Sequence, residues 1–92
     1  MDEIATTKLT IINELGLHAR AATLLVQTAS KFESDLYVNK DGRQINGKSI
    51  MGVMMLAAPS GSNLTIRAEG EDAQTAVEQL VALVNNRFGE EK

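Results

Sequence analysis

Residues 35–49 read DLYVNKDGRQINGKS, and two incompatible folds can be drawn from them. The last eight, Gly42 to Ser49, satisfy the P-loop pattern G-x-x-x-x-G-K-[ST]. A working P-loop sits between a buried parallel strand and a helix, where its backbone N–H groups wrap a phosphate. The earlier residues point elsewhere. Asp35 to Lys40 alternates through Leu36 and Val38, Asp41-Gly42 is a favoured two-residue hairpin turn, and Arg43 to Asn46 returns. A hairpin places Gln44 and Ile45 in an antiparallel ladder and uses Gly42 as turn chemistry, which leaves no cradle. An ATPase of this kind also needs several parallel strands and a second apolar strand ending in a Mg²⁺-holding Asp. An ATP-binding enzyme therefore rests on GRQINGKS alone.

The flanking sequence agrees with the hairpin. Upstream, Thr6 to Ile12 alternates and is rich in β-branched residues, which predicts a first strand. From Ala19 the apolar positions Ala22, Leu25, Val26, Ala29 and Phe32 recur at helical spacing, predicting an amphipathic helix of about 14 residues. Downstream, Ser49 to Leu56 reads as a short helix with Ser49 as N-cap, stopped by Pro59 and Gly61. Asn63 to Ala68 alternates again. Residues 70–88 open with acids and carry Ala73, Ala76, Val77, Leu80, Val81, Val84 and Phe88 on one helical face, with Arg87 and Gly89 at the end. The predicted order is βαββαβα in one domain spanning residues 1–92. Each helix has a single apolar stripe, so an α+β fold follows: a four-stranded, mainly antiparallel sheet with the helices on one face.

Composition narrows the function. The 92 residues include no Cys, which removes disulfides, thiolate catalysis and Cys-based metal sites. A lone His gives no second imidazole for a metal, so no metal and no cofactor are expected. The first residues lack the pattern of a signal peptide and no apolar run reaches the ~20 residues of a membrane span, so a cytoplasmic protein without membrane insertion is expected. The net charge is −3, with one Tyr and two Phe, which argues against a nucleic-acid partner. The segment Lys8 to Lys48 nevertheless carries +2 and the remainder −5. A mildly positive part favours acidic partners or phosphate groups.

The only His lies in NELGLHARAA, where a Gly-containing loop enters the first helix. At such a position His18 stands beside the free N–H groups of Ala19, Arg20 and Ala21, which with the helix dipole favour an anion. The same field disfavours imidazolium and leaves a neutral, nucleophilic ring. Arg20 adds a planar cation suited to phosphoryl oxygens. These are parts for carrying a phosphoryl group on His. Hydrolase chemistry fits less well, because a Ser-His-Asp triad here lacks a nucleophile elbow such as G-x-S-x-G. Gly16 allows the loop to turn tightly and leaves the imidazole uncovered.

GLHARAA, GKSIMGVMML and GEDAQTAVEQLVALV together resemble the HPr family, the histidine-containing phosphocarriers of the bacterial phosphoenolpyruvate:sugar phosphotransferase system. The similarity runs from the first strand to the last helix. It implies an open-faced β-sandwich, with four antiparallel strands covered on one side by three helices. It also implies a stoichiometric carrier, not an enzyme: His18 is phosphorylated at Nδ1 by enzyme I and passes the group to an enzyme IIA domain, with Arg20 stabilising the phosphate. Ser49 falls on the regulatory serine that HPr kinase/phosphorylase modifies in many bacteria. A monomer is implied. A regulatory or nitrogen-branch paralogue, acting mainly by protein–protein interaction, is the alternative within the same family.

The resemblance places partner docking on Thr23, Gln27, Ile50, Met51 and Met54. A Met/Ile set at helical spacing is usually core, but flexible Met side chains suit a surface that accepts several proteins. Met51 is expected to be exposed and Val53 buried. The chain departs from the family motif at Ala21, where Pro is common; Ala restores an N–H to the first turn. Gln27 and Ser30 stand where basic residues are frequent, which shifts electrostatic docking toward Arg20, Lys31 and Lys48.

Overall fold

The computed structural model describes residues 3–92. Four strands form one antiparallel sheet: β1 (Glu3–Thr10), β2 (Asp35–Lys40), β3 (Arg43–Asn46) and β4 (Asn63–Gly70). Their spatial order is β1-β4-β2-β3. Three helices interleave with them, α1 (Ala19–Ala29), α2 (Ile50–Met55) and α3 (Ala73–Asn85), and a 3₁₀ turn (Arg87–Gly89) follows.

The hairpin at the centre of the sequence forms as its turn chemistry requires. Asp41 and Gly42 have φ of 53° and 83°, the two positive values that a tight β-return with the native strand twist demands. Lys40 then faces Arg43 and Val38 faces Ile45 in the ladder. Gln44 is therefore a strand residue, and the backbone between Gly42 and Asn46 cannot wrap a phosphate.

Alternation decides which side of the sheet is dry. Ala5 and Leu9 of β1, Leu36 and Val38 of β2, and Leu64, Ile66 and Ala68 of β4 are buried beneath the helices. The helices answer with Ala22, Leu25 and Ala29, with Val53, and with Ala76, Leu80 and Val84. The opposite face bears Thr6, Lys8, Thr65, Arg67 and Tyr37, with the Arg67 guanidinium 4.8 Å from the Tyr37 ring centroid. Apolar cover on one side and a polar, uncovered second side make an open-faced β-sandwich.

Element limits differ from the sequence reading: β4 runs on to Gly70, two residues past Ala68, and three other elements change as well. The first strand lies at Glu3–Thr10 instead of 6–12, because β4 supplies partners from Gly70 opposite Glu3 to Asn63 opposite Thr10. Beyond that, Ile11 is tied by loop bonds to Ser62 and Gly61. The first helix has 11 residues; Lys31 and Phe32 donate three residues back, to Thr28 and Ala29, and the last turn tightens out of the α geometry. The final helix stops at Asn85. Phe88 is buried as expected, but by a left-handed turn at Arg87 and Phe88 (φ 54° and 55°) and not by a fourth helical turn.

Candidate functional site

The loop entering α1 is fastened at several points. Leu17 N–H donates to Ala58 O at 2.8 Å, and Gly16 N–H to Asn13 O at 3.1 Å. Gly16 has φ +71°, and a Cβ there would stand 2.8 Å from Ala58 O and 2.9 Å from Pro59 Cα. Only glycine serves on both counts. With Leu17 buried inside, His18 becomes the N-cap of α1 in extended geometry (φ −74°, ψ 179°), and its side chain does not cap the helix. The first bond into the helix runs from Ala22 N–H to His18 O, 2.8 Å. The N–H groups of Ala19, Arg20 and Ala21 precede it and are the free donors of the helix end.

The C-terminal segment completes the site. The left-handed turn seats Phe88, 1% exposed, in the core and sends the chain back over the start of α1. Glu14 N–H donates to Lys92 O at 2.9 Å. Between these fastenings the Glu90 carboxylate meets three groups. Its Oε2 lies 2.6 Å from His18 Nε2 and 3.0 Å from Arg20 Nη1, and its Oε1 accepts from Asn13 Nδ2 at 2.9 Å. Arg20 also donates to Phe88 O at 3.0 Å. The side-chain amide of Asn13, then the His18 hydrogen bond, hold the Glu90 carboxyl below its ordinary range against the opposing effect of burial, with the charges of His18 and Arg20 assisting.

An ionised carboxylate only accepts hydrogen bonds, so the nitrogen facing it carries the proton. The neutral ring is therefore the Nε2–H tautomer, with a lone pair on Nδ1. Among the described residues Nδ1 has no hydrogen-bond partner. The side chain is 29% exposed. His18 stands at the N-terminus of α1 as the sequence indicates, and beside it lies a carboxylate that the sequence reading did not place there.

His18 and Arg20 are thus brought together, with Glu90 and Asn13 as unexpected members. A signal for the tail exists in FGEE at 88–91: Gly after a large apolar residue, then acids, marks a chain reversal followed by anionic side chains. Ser49 stands on a different helix. Its hydroxyl caps α2 by accepting from Gly52 N–H at 3.1 Å. Val53 is fully buried, whereas Met51 is 73% exposed and Ile50 and Met54 are exposed as well. Thr23 and Gln27 are exposed on α1, which packs against α2. Lys31 is exposed, but the other two cations assigned to docking are engaged: Arg20 on Glu90, and Lys48, whose Nζ donates to Phe32 O at 2.7 Å.

The model of the family described as "PTS HPr component phosphorylation site" matches residues 5–86. The chain belongs to the HPr family. A phosphocarrier protein HPr of Cupriavidus necator is 56% identical over 81 residues, 88% of this chain and 91% of that one. The crystal structure of HPr from Thermoanaerobacter tengcongensis superposes with a TM-score of 0.93 at 46% identity, covering 96% of this chain and 99% of that one. The Bacillus subtilis catabolite repression protein Crh, described as a dimer with a swapping domain, matches at TM-score 0.73 and 46% identity over 88% of this chain and 93% of its own. HPr proteins are phosphocarriers, and the four-stranded sheet with three helices is the fold these structures share. Among the described residues of this HPr-family chain no helix is long and apolar enough to cross a membrane.

Proposed function

We propose that this HPr-family chain accepts a phosphoryl group on Nδ1 of His18 from phospho-enzyme I and passes it to an enzyme IIA domain, as a stoichiometric carrier in the cytoplasm. The observation that carries the reading is the division of the imidazole at the N-terminus of α1: Nε2 faces Glu90, while Nδ1 has no hydrogen-bond partner among the described residues. In the forward step the Nδ1 lone pair forms the bond to phosphorus. The bond from phosphorus to the donor breaks, and the donor keeps that electron pair. The Nε2 proton stays where it is, and the positive charge that develops on the ring lies against Glu90. The amides of Ala19, Arg20 and Ala21 offer donors to the three phosphoryl oxygens, and Arg20 leaves Glu90 to join them. The whole chain acts as one domain and as a monomer, docking through Thr23, Gln27, Ile50, Met51 and Met54.

A regulatory reading has its own support in the likeness to Crh, a catabolite repression protein. Phosphorylation of Ser49 by HPr kinase/phosphorylase would add about two negative charges at the N-terminus of α2, where an anion is tolerated. Beside exposed Met51 and Met54 those charges weaken docking of acidic partners. In a regulatory or nitrogen-branch paralogue this interaction would be the main output.

Incubation with enzyme I and labelled phosphoenolpyruvate tests the carrier reading. Acid-labile label on the wild type and none on His18→Ala is expected; label retained by His18→Ala would overturn it. An acid-stable label that needs ATP and the kinase, and is lost in Ser49→Ala, establishes the regulatory input.

A further inference from the structure

Resting on the carrier reading above, we propose that Asn13 is a positioning residue for phosphoryl transfer: its buried carboxamide holds Glu90 against Nε2 of His18 and so keeps Nδ1 as the open nitrogen.

Asn13 is fully buried in the loop that leads to His18. Its side-chain amide nitrogen makes two bonds, to Gly16 O at 2.8 Å and to Glu90 Oε1 at 2.9 Å. Its own oxygen, Oδ1, has no partner among the described residues. Turning the amide over would set Oδ1 against two acceptors and forfeit both bonds, so the orientation is fixed by its neighbours. A buried acceptor left unsatisfied is costly, and a small apolar residue would fill the same space without it. What the amide supplies and an apolar residue cannot is a pair of donors pointed at the Gly16 turn and at the carboxylate.

The two oxygens of Glu90 divide the work. Oε2 receives both His18 and Arg20, while Oε1 is held by Asn13. A phosphoryl group on Nδ1 draws Arg20 away, and the carboxylate is then held by Asn13 on Oε1 and by the ring on Oε2. Glu90 keeps its place at Nε2 through the step in which the ring becomes cationic. Because Asn13 also bonds Gly16 O, it ties the carboxylate to the loop that sets the backbone of His18.

The test uses Asn13→Asp, nearly the same shape but with the donors replaced by acceptors facing Glu90. The wild type is expected to show a hydrogen-bonded Nε2 proton of His18 in its NMR spectrum; Asn13→Asp should lose this signal and raise the titration of the Glu90 carboxyl. The initial rate of His18 phosphorylation by enzyme I should fall on the order of tenfold, the lower end of the effect of removing outer partners that orient working imidazoles. Placed on Glu90→Ala, the substitution should cost much less of the rate than on the wild type, only what the bond to Gly16 O contributes, since Asn13 otherwise acts through that carboxylate. If the Asp variant does not fold, Asn13→Ser, too short to reach Glu90 and uncharged, is read in the same way. Normal labelling of the wild type, with ring and Glu90 signals unmoved in the Asn13 variants, would overturn the role of Asn13 alone. So would a full additional loss of rate on the Glu90→Ala background. Absence of label on wild-type His18 would overturn the carrier reading and this proposal with it.

Discussion

The carboxylate of Glu90 meets Nε2 of His18 at 2.6 Å, although 72 residues separate them in the chain. The contact exists because the chain reverses after α3 and buries Phe88, which returns the tail to the start of α1. Arg20 is held by the same oxygen. The imidazole and the guanidinium, which the sequence places two residues apart on one helix end, are thus linked through a third group at the far end of the fold.

Phe88 is the anchor of that return, and Phe88→Ala should cost about 3–5 kcal/mol in urea unfolding, the range for emptying a buried aromatic site. Arg20 and Glu90 should lose their bonds together, visible as sharpened, mobile side-chain signals. A loss below about 1 kcal/mol would show that the tail is held by something other than its buried ring.

Gly16→Ala should destabilise the protein by about 1–3 kcal/mol through backbone strain alone, before the clash of the added methyl with Ala58 O and Pro59 is counted. Denaturant midpoints measure this. Gly42→Ala also meets a positive φ of 83°, but no described residue lies within 4 Å of its added methyl, so it should lose less than Gly16→Ala.

Met51 and Val53 lie two residues apart in α2 with opposite fates. Met51→Asp should leave stability within about 0.5 kcal/mol of wild type while weakening the binding of enzyme I in calorimetry. Val53→Ala removes two buried carbons and should cost about 2 kcal/mol. Equal melting temperatures for the two variants would contradict the burial of one and the exposure of the other.

Acid should unfold the chain partly through two carboxyls. The hydroxyl of buried Ser34, then the Glu33 N–H, hold Asp72 below its ordinary value of 3.8, with the Ser34 N–H adding to them against burial. Glu90 is likewise held below 4.5. A carboxyl with a depressed folded value contributes fully above its unfolded value, and the contribution fades as pH falls through the folded one. Asp72→Asn should therefore lower the melting temperature at neutral pH and flatten its decline below about pH 4. An unchanged acid limb would remove Asp72 from the balance.

What could be read from the sequence was local. The Asp41-Gly42 turn, the Ser49 cap and the contrast of Met51 with Val53 depend on neighbours a few residues away, and all three stand in the structure. The order β1-β4-β2-β3 was not legible, since alternation marks a strand but does not say which strand it joins. β4 enters between β1 and β2 after both have been made. The site divides along the same line. His18 and Arg20 were visible because a helix N-terminus is a local feature, whereas Glu90 reaches them only after a left-handed turn at Arg87 and Phe88 that the apolar spacing of α3 disguised as further helix. Asn13 read as ordinary loop, and its buried position depends on the tail that covers it.

The most direct measurement is ¹⁵N and ³¹P NMR of the phosphorylated chain with labelled histidine, which distinguishes the two ring nitrogens. With Nε2 protonated and bound to Glu90, the phosphorus should be joined to Nδ1. Phosphorus found on Nε2, or on no histidine nitrogen, would contradict it.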